Sequence, residues 1–413
     1  MFMTNWLKEP CTFDDENIVA FAYFEQSDYA IYLNPTDKRG YRSIVRLIDN
    51  DRMNSTLNRT YTSSERIGLS LAMALVTEAY TRIVPIAQNA VAGNNAHSFD
   101  AQTGVGQLGR DEEPIFLHGH VFGRGNPKAT YIEDVQLDGP VPGLVFDMRA
   151  QTLNESGNDR KLNWQAGEMK KVIRRLRQEI EAIYDIYKAH GLTIVTRQRS
   201  IDIYIVRHGE TDWNVEKRLQ GHTDIFLNAN GEQQARQLQE KFAHIDFSRV
   251  YSSDLARARS TAEFILASRD DATIIQTPLL REKYMAAWEG RSLVELGKYL
   301  KQTRDSTHLN QEDFLSFTWD ESVESYWDVY QRLKTLIRSI FISSPEINNP
   351  ILFCSHGGML RSILCRLDYR PGVHWQVPNG SYLKLKAHAD GRIVITETEG
   401  VKPNKLPETT TSF

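Results

Sequence analysis

Three cysteines in 413 residues, Cys11, Cys354 and Cys365, are too few for a disulfide framework, and their spacing matches no metal-ligand pattern. A reducing compartment follows, and a cytoplasmic protein is expected. An excess of charge is also missing: 49 Lys and Arg against 53 Asp and Glu leave a net charge of -4, which argues against a dedicated nucleic-acid binder. No apolar run is long enough to span a bilayer, so no membrane partner is expected. Residues 1–10 carry Lys8 and Glu9 but no apolar stretch of the kind that begins a secretion signal. No internal repeat is evident. What is present is ordinary for a soluble globular chain: 41% hydrophobic and 25% charged residues, over a length that favours two domains.

In the first half, residues 17–24 and 29–33 read as two short strands of a hairpin, separated by Glu25, Gln26, Ser27 and Asp28. Residues 43–48 supply a further apolar stretch. A helix follows, with Ser63 or Ser64 as its cap and Ile67, Leu71, Ala74, Leu75 and Tyr80 at three- and four-residue intervals, and Pro85 ends it. Residues 91–111 are rich in Gly, Asn, Gln and Asp and read as a loop with amides available to a ligand. Next comes PIFLHGHVFGRG, residues 114–125, in which a strand puts Phe116, His118, His120 and Phe122 on one face. Two readings stand open for this pair of histidines, a catalytic site and a structural or metal-binding pair. Residues 131–149 look like further strands broken by Gly139-Pro140 and Pro142-Gly143.

From 163 to 190 the pattern turns helical. Met169, Val172, Ile173, Leu176, Ile180, Ile183, Tyr184 and Tyr187 recur at helical spacing, and Gly191 is placed as the C-cap. The basic run 170–177 reads as the solvated side of a long connecting helix, with an acidic-ligand surface as the alternative. The expected division is an N-terminal α+β domain over 1–150, a connecting helix and linker over 151–200, a second domain over 201–400, and a mobile tail over 401–413.

The chemistry gathers in residues 203–214, IYIVRHGETDWN. Ile203, Tyr204, Ile205 and Val206 form a β-branched run suited to a strand buried on both faces of a parallel sheet. Arg207, His208, Gly209 and Glu210 follow at its carboxyl end, where open α/β sheets place their ligands. An arginine fork suits phosphate oxygens and a neutral imidazole is a competent nucleophile, so the pair suggests phosphoryl transfer to histidine.

Four further stretches follow in order: LQGHTDIFLNANGEQQA at 219–235, VYSSDLARARSTA at 250–262, LREKYMAAWEG at 280–290 and ILFCSHGG at 351–358. Together with 203–214 they resemble the histidine phosphatase superfamily, the branch 1, phosphoglycerate mutase-like proteins, across nearly all of 201–400. The resemblance implies a three-layer α/β/α sandwich with a mainly parallel sheet. It implies that His208 is the nucleophile that becomes phosphohistidine, that Arg207, Arg257 and His356 bind the phosphate oxygens, and that Glu282 is the proton donor. Asn214, Thr211 and the backbone at Gly357 stand as further substrate contacts, and neither metal nor other cofactor is implied. One departure is that Ala286 stands where the family usually has Gly, and Glu289 is kept as an alternative donor. His222 and His374 read as exposed loop histidines, Cys354 as a core residue, and Arg259 as facing away from the pocket. Residues 292–344, with Trp319, Tyr326, Trp327 and Tyr330, match an insertion that covers the active site in this family.

The first half resembles the histidine triad (HIT-like) superfamily more weakly, with His118 and His120 in the first and middle places and Phe122 in the third. That likeness implies an N-terminal α+β domain acting on nucleoside phosphates. The expected function is hydrolysis of a phosphomonoester, a small phosphorylated metabolite or nucleotide, coupled to nucleotide binding or cleavage in the first half. Two alternatives stay open: a phosphoglycerate mutase-like phosphotransferase, and a nucleotide-binding regulatory protein with a degenerate N-terminal domain.

Overall fold

Two apolar runs fold back on each other near the start of the chain. Strands β1 (Ile18–Phe24) and β2 (Ser27–Leu33) pair antiparallel, with Phe24 opposite Ser27. Only Glu25 and Gln26 are left to turn, so the hairpin is tighter than the four-residue connection expected, and Glu25 takes a φ of 50° to close it. The computed structural model describes residues 17–33, 41–48, 62–84, 90–92, 118–123, 130–136, 164–196, 200–269, 273–303, 315–344, 347, 350–368, 373–389 and 391–405. The chain divides into two compact units, Met1–Arg199 with Ala389–Arg392, and Ser200–His388 with Ile393–Phe413.

In the first unit β3 (Tyr41–Ile48), β4 (Ala90–Ala92) and β5 (His118–Gly123) join the hairpin. A short ribbon of β6 (Thr130–Ile132) and β7 (Val135–Gln136) follows, and β8 (Thr193–Val195) closes the far edge. The resulting six-stranded sheet runs β4-β5-β3-β2-β1-β8, with every neighbouring pair antiparallel. Of the expected loop at 91–111 only residues 91 and 92 are described, and they lie in β4; Gly139-Pro140 and Pro142-Gly143 lie outside the described residues.

Helix α1 (Ser63–Ile83) packs on this sheet. Its cap is Thr62, one residue before the serines expected, because Thr62 and Glu65 make a reciprocal capping box. Such a cap contributes about 1 kcal/mol. Ile67, expected on the inner face, is 51% exposed, because Gly68, Ala72 and Ala79 make the close approach to the sheet instead. Helix α2 (Glu168–Lys188) is shorter than its periodicity suggests and ends on Ala189, so Gly191 is not the C-cap. Gly191 lies two residues further on at a φ of 84°, where its N–H reaches the Lys188 carbonyl at 3.0 Å. Far from only connecting, α2 buries Val172, Ile173, Leu176, Ile180 and Ile183 in the same core as α1 and the sheet. Its basic side is partly solvated: Arg174 pairs with Glu133 at 2.6 Å on the surface. Arg177 departs from that reading and donates to the carbonyls of Ile18 and Val19 at 2.8 and 2.9 Å.

The second unit is built on a mainly parallel sheet. Its strands are β9 (Ser200–Arg207), β10 (Arg249–Ser253), β11 (Ile274–Thr277), β12 (Ile351–Ser355), β13 (Val373–Gln376), β14 (Tyr382–His388), β15 (Ile393–Glu399) and β16 (Lys402–Lys405). The main sheet runs β11-β10-β12-β9-β14-β15; the first three junctions are parallel and the last two antiparallel, while β13 and β16 form a separate ribbon. The described part of the expected mobile tail therefore includes a paired strand. Helices α3 (Asp212–Val215), α4 (Ala229–Lys241), α5 (Ala256–Leu266), α6 (Leu293–Thr303), α7 (Tyr326–Ser343) and α8 (Gly357–Leu367) complete the unit. Along β9, Tyr204 and Val206 share a cluster with Leu238 and Phe242 at the end of α4 and with Ala262 and Ile265 of α5. Ile203 and Ile205 alternate with them and are buried on the opposite face, where α7 and α8 pack. This is the three-layer arrangement expected, and it places the carboxyl ends of β9, β12 and β10 side by side.

Candidate active site

Strand register brings the first-named residues together. Arg207 ends β9 opposite Ser355 of β12, and Cys354 lies opposite Ser252 of β10. His208 therefore leaves one strand beside His356 leaving the next, and their rings lie 5.1 Å apart. Arg257 enters on α5 just beyond β10. The turn after His208 is held from several sides. The Gly209 N–H donates to Thr261 Oγ1 at 3.0 Å, and Asn379 Nδ2 donates to the carbonyls of His208 and Gly209 at 3.0 and 3.1 Å. A Cβ on Gly209 would strike the Gly231 backbone, so glycine is required where the two chains cross.

The histidine's tautomer follows from one contact. His208 Nδ1 lies 2.6 Å from the Gly209 carbonyl, which can only accept, so Nδ1 carries the proton and Nε2 presents a lone pair. Burial first, then the Arg257 and Arg207 guanidiniums, hold its pKa well below the ordinary 6.5. His208 is thus neutral at physiological pH. Arg257, fully buried, is clamped by the carbonyls of Gly221 and Thr223 at 2.8 and 2.9 Å, and burial lowers its pKa to about 10 without removing its charge at neutral pH. Arg207 donates from Nη1 to Val377 at 2.5 Å; burial, with Arg361 nearby, lowers its pKa to about 9. The Nε of each arginine and both ring nitrogens of His356 are buried with no partner among the described residues. Buried donors of this kind ordinarily meet an acceptor, and here they surround one imidazole at strand ends and beside the N-terminus of α8, an arrangement suited to an anion such as phosphate.

Glu282 sits across from the histidines. Its carboxylate accepts from Gly358 N–H at 2.9 and 3.1 Å and from Lys283 N–H at 2.7 Å, which ties it to the start of α8 two residues after His356. Its own carbonyl accepts from His222 Nε2 at 2.9 Å and from Arg332 Nη2 at 3.2 Å. His222 is therefore half-buried and structural, contrary to the exposed loop residue expected. Arg332 does more: Nη1 also reaches the carbonyls of Leu279 and Arg281 at 2.9 and 3.1 Å, while Glu324 pairs with its Nε at 2.7 Å. Replacing Arg332 by methionine should lower kcat for p-nitrophenyl phosphate roughly 10- to 100-fold by loosening the Glu282 segment. An unaltered kcat would show that Glu282 is placed without it.

Glu289 is occupied elsewhere. Its carboxylate accepts from the backbone N–H groups of His222 and Thr223, both at 2.8 Å, and from the Thr223 hydroxyl at 2.5 Å, so it shapes the loop that clamps Arg257. Ala286 has a φ of 50°, a conformation that explains why glycine suits this place and that costs an L-residue about 1 kcal/mol.

Asn214 and Thr211 cap α3 for each other, and Asn214 Oδ1 also accepts from Asn379 Nδ2 at 3.1 Å. Gln220 donates to Thr211 Oγ1 at 2.8 Å. These contacts make the pair part of the framework under His208. Gly357 opens α8 next to the Arg207 and Arg361 guanidiniums. Cys354 is fully buried, and Arg259 pairs with Glu263 at the surface. His374 lies in β13, and His118 and His120 lie in β5 of the first unit. Among the described residues, no group of three or more His, Cys, Asp or Glu side chains is placed to hold a metal ion. Sequence reasoning missed Asn379, Thr261, Arg332 and Lys283. Arg332, one arginine on an amphipathic helix, carries no local signal.

A buried neutral histidine flanked by two buried arginines and a second histidine at the carboxyl edge of a parallel sheet is an arrangement suited to a phosphate-like anion. Residues 203–398 match the histidine phosphatase superfamily (branch 1), and the chain belongs to that family. Residues 15–176 match the HIT-like, HIT-related family, so the N-terminal resemblance also holds. The chain is 33% identical over 163 residues to phosphoglycerate mutase-like protein 4 of Arabidopsis thaliana, covering 39% of this chain and 69% of that one. It is 33% identical over 174 residues to a broad-specificity phosphatase of Saccharomyces cerevisiae, covering 41% and 71%. The solved structure of a mycobacterial glucosyl-3-phosphoglycerate phosphatase with VO3 matches at 25% identity and a TM-score of 0.41, over 48% of this chain and 98% of that one.

Proposed function

We propose that the chain hydrolyses phosphomonoesters through a phosphohistidine on His208, with Glu282 as acid and then base. The observation that carries this is the His208 tautomer, with Nε2 unprotonated among buried cationic donors. In the first step the Nε2 lone pair bonds to phosphorus as the ester P–O bond breaks, and the Glu282 carboxyl gives its proton to the departing oxygen. Arg207, Arg257 and His356 bind the phosphoryl oxygens, and their donors oppose the charge that builds there. In the second step the Glu282 carboxylate takes a proton from water, the water oxygen bonds to phosphorus, and the P–N bond breaks to release phosphate and restore His208. Two arginines take the place that a metal ion holds in other phosphatases, so chelator should leave turnover unchanged. Rapid quench during turnover of a radiolabelled ester should show acid-labile, base-stable label on the protein. Absence of label, or activity lost to chelator and restored by a divalent ion, would overturn the reading.

A further inference from the structure

The lone pair on His208 depends on the orientation of one peptide bond. Nδ1 donates to the Gly209 carbonyl at 2.6 Å, which leaves Nε2 without a proton. Were the Gly209–Glu210 peptide to turn over, the Glu210 N–H would face the ring where the carbonyl now stands. Nδ1 would then accept, the ring proton would sit on Nε2, and the histidine would have no lone pair to offer phosphorus. Two half-buried amides hold this peptide from its opposite ends. Asn379 Nδ2, in the turn that leads into β14, donates to the Gly209 carbonyl at 3.1 Å. Gln234 Oε1, on α4, accepts from the Glu210 N–H at 2.9 Å.

Each amide is itself held, so the peptide can face only one way. Asn379 Nδ2 also lies 3.0 Å from the His208 carbonyl and 3.1 Å from Asn214 Oδ1, and only a donor can face three acceptor oxygens at once. Its turn is tied to the end of β9: the Gly380 N–H donates to the Arg207 carbonyl at 3.2 Å, and the Arg207 N–H to that of Ser381 at 2.9 Å. On the other side Asn228, the cap of α4, donates its N–H to the Glu210 carbonyl at 3.0 Å, one turn before Gln234. We infer that Asn379 and Gln234 are positioning residues that clamp the Gly209–Glu210 peptide and thereby keep the His208 proton on Nδ1 and the lone pair on Nε2. This rests on the reading of His208 as the nucleophile and names the two side chains, distant in sequence from each other, that keep it reactive.

Nitrogen-15 NMR of the full chain carrying labelled histidine reads the tautomer without turnover, with the His208 signals identified by their loss in His208→Ala. At pH 7 the wild type should show His208 protonated on Nδ1. Asn379→Leu keeps the branched shape and loses the donor, and Gln234→Met keeps the length and loses the acceptor. Each should move a measurable share of His208 to the Nε2–H form and lower kcat for p-nitrophenyl phosphate by roughly tenfold or more. Calorimetry with inorganic phosphate separates this from a general loosening. A ring with Nε2–H donates to phosphate, so both variants should bind it as tightly as the wild type or tighter; binding that weakens in step with kcat makes the two residues merely structural and overturns the clamp. A wild-type ring protonated on Nε2, or an Nδ1 proton unmoved in either variant, also overturns it; should one variant not fold, the other decides. A chain that shows the tautomer shifts but releases no phosphate from p-nitrophenyl phosphate loses the hydrolase reading and keeps the clamp. One that releases phosphate with the proton unmoved keeps the hydrolase and loses the clamp.

Discussion

Replacing His208 by alanine is expected to lower kcat for p-nitrophenyl phosphate by roughly three orders of magnitude or more, the scale seen when a covalent nucleophile is removed. No other imidazole nitrogen replaces it, because His356 enters from the neighbouring strand with its own backbone frame at β12 and α8. The fold should survive, since the turn is held by Gly209, Thr261 and Asn379 through backbone atoms that the substitution leaves in place. Turnover within tenfold of wild type would remove His208 from the mechanism. The same environment sets the pH behaviour. With its pKa held well below 6.5 by burial and two guanidiniums, His208 stays unprotonated on mild acidification, so kcat/KM should not fall from its protonation between pH 7 and about pH 6. Stability moves the other way: below about pH 6.5 the unfolded chain binds protons on His208 and His356 that the folded chain refuses, so stability falls with pH.

Glu282→Gln separates the two half-reactions. An ester with a poor leaving group should lose roughly 100- to 10,000-fold in kcat, because the departing oxygen receives no proton. With a good leaving group the first step proceeds and the second lacks its base, so acid-labile, base-stable label should accumulate above the wild-type level. The amide still accepts from Gly358 through its oxygen, so the segment is expected to keep its course. Glu289→Gln is the contrast: its carboxylate holds His222 and Thr223 in the loop whose Gly221 and Thr223 carbonyls clamp Arg257, so its loss should act by loosening Arg257 and should trap no label. Label that builds in Glu289→Gln and stays absent in Glu282→Gln would reverse the assignment.

Much of the second unit could be read directly. Strand β9 announces itself by a β-branched run that stops at Arg207, and the order of five short stretches identifies the family before any contact is known. The chemistry is concentrated at strand ends, so the strand signal and the reactive residues sit next to each other in the chain. Fine boundaries were less legible. Thr62 wins the α1 cap from Ser63 and Ser64 because only its spacing to Glu65 closes the reciprocal box, and Ile67 loses its place in the core because small residues let the helix approach the sheet elsewhere.

By itself the sequence determined which residue types stand at the ends of β9 and β12 and at the start of α5, because those are properties of local pattern: strand period, helix entry and adjacency along the chain. Tertiary structure alone decided what each of them does. The Nδ1 proton of His208 is assigned by a carbonyl that the turn folds back onto the ring, and the charge of Arg257 is aimed by carbonyls more than 30 positions away in sequence. Glu289 is committed to the loop at 222–223, from whose N–H groups and Thr223 hydroxyl its carboxylate accepts, whereas Glu282 is tied to the start of α8 beside His356. Arg332 acquires its contacts with the Glu282 segment only when α7 packs beside that segment, since burial and hydrogen-bond partners are set by what packs on a side chain, and one stretch of chain does not record what another will bring to it.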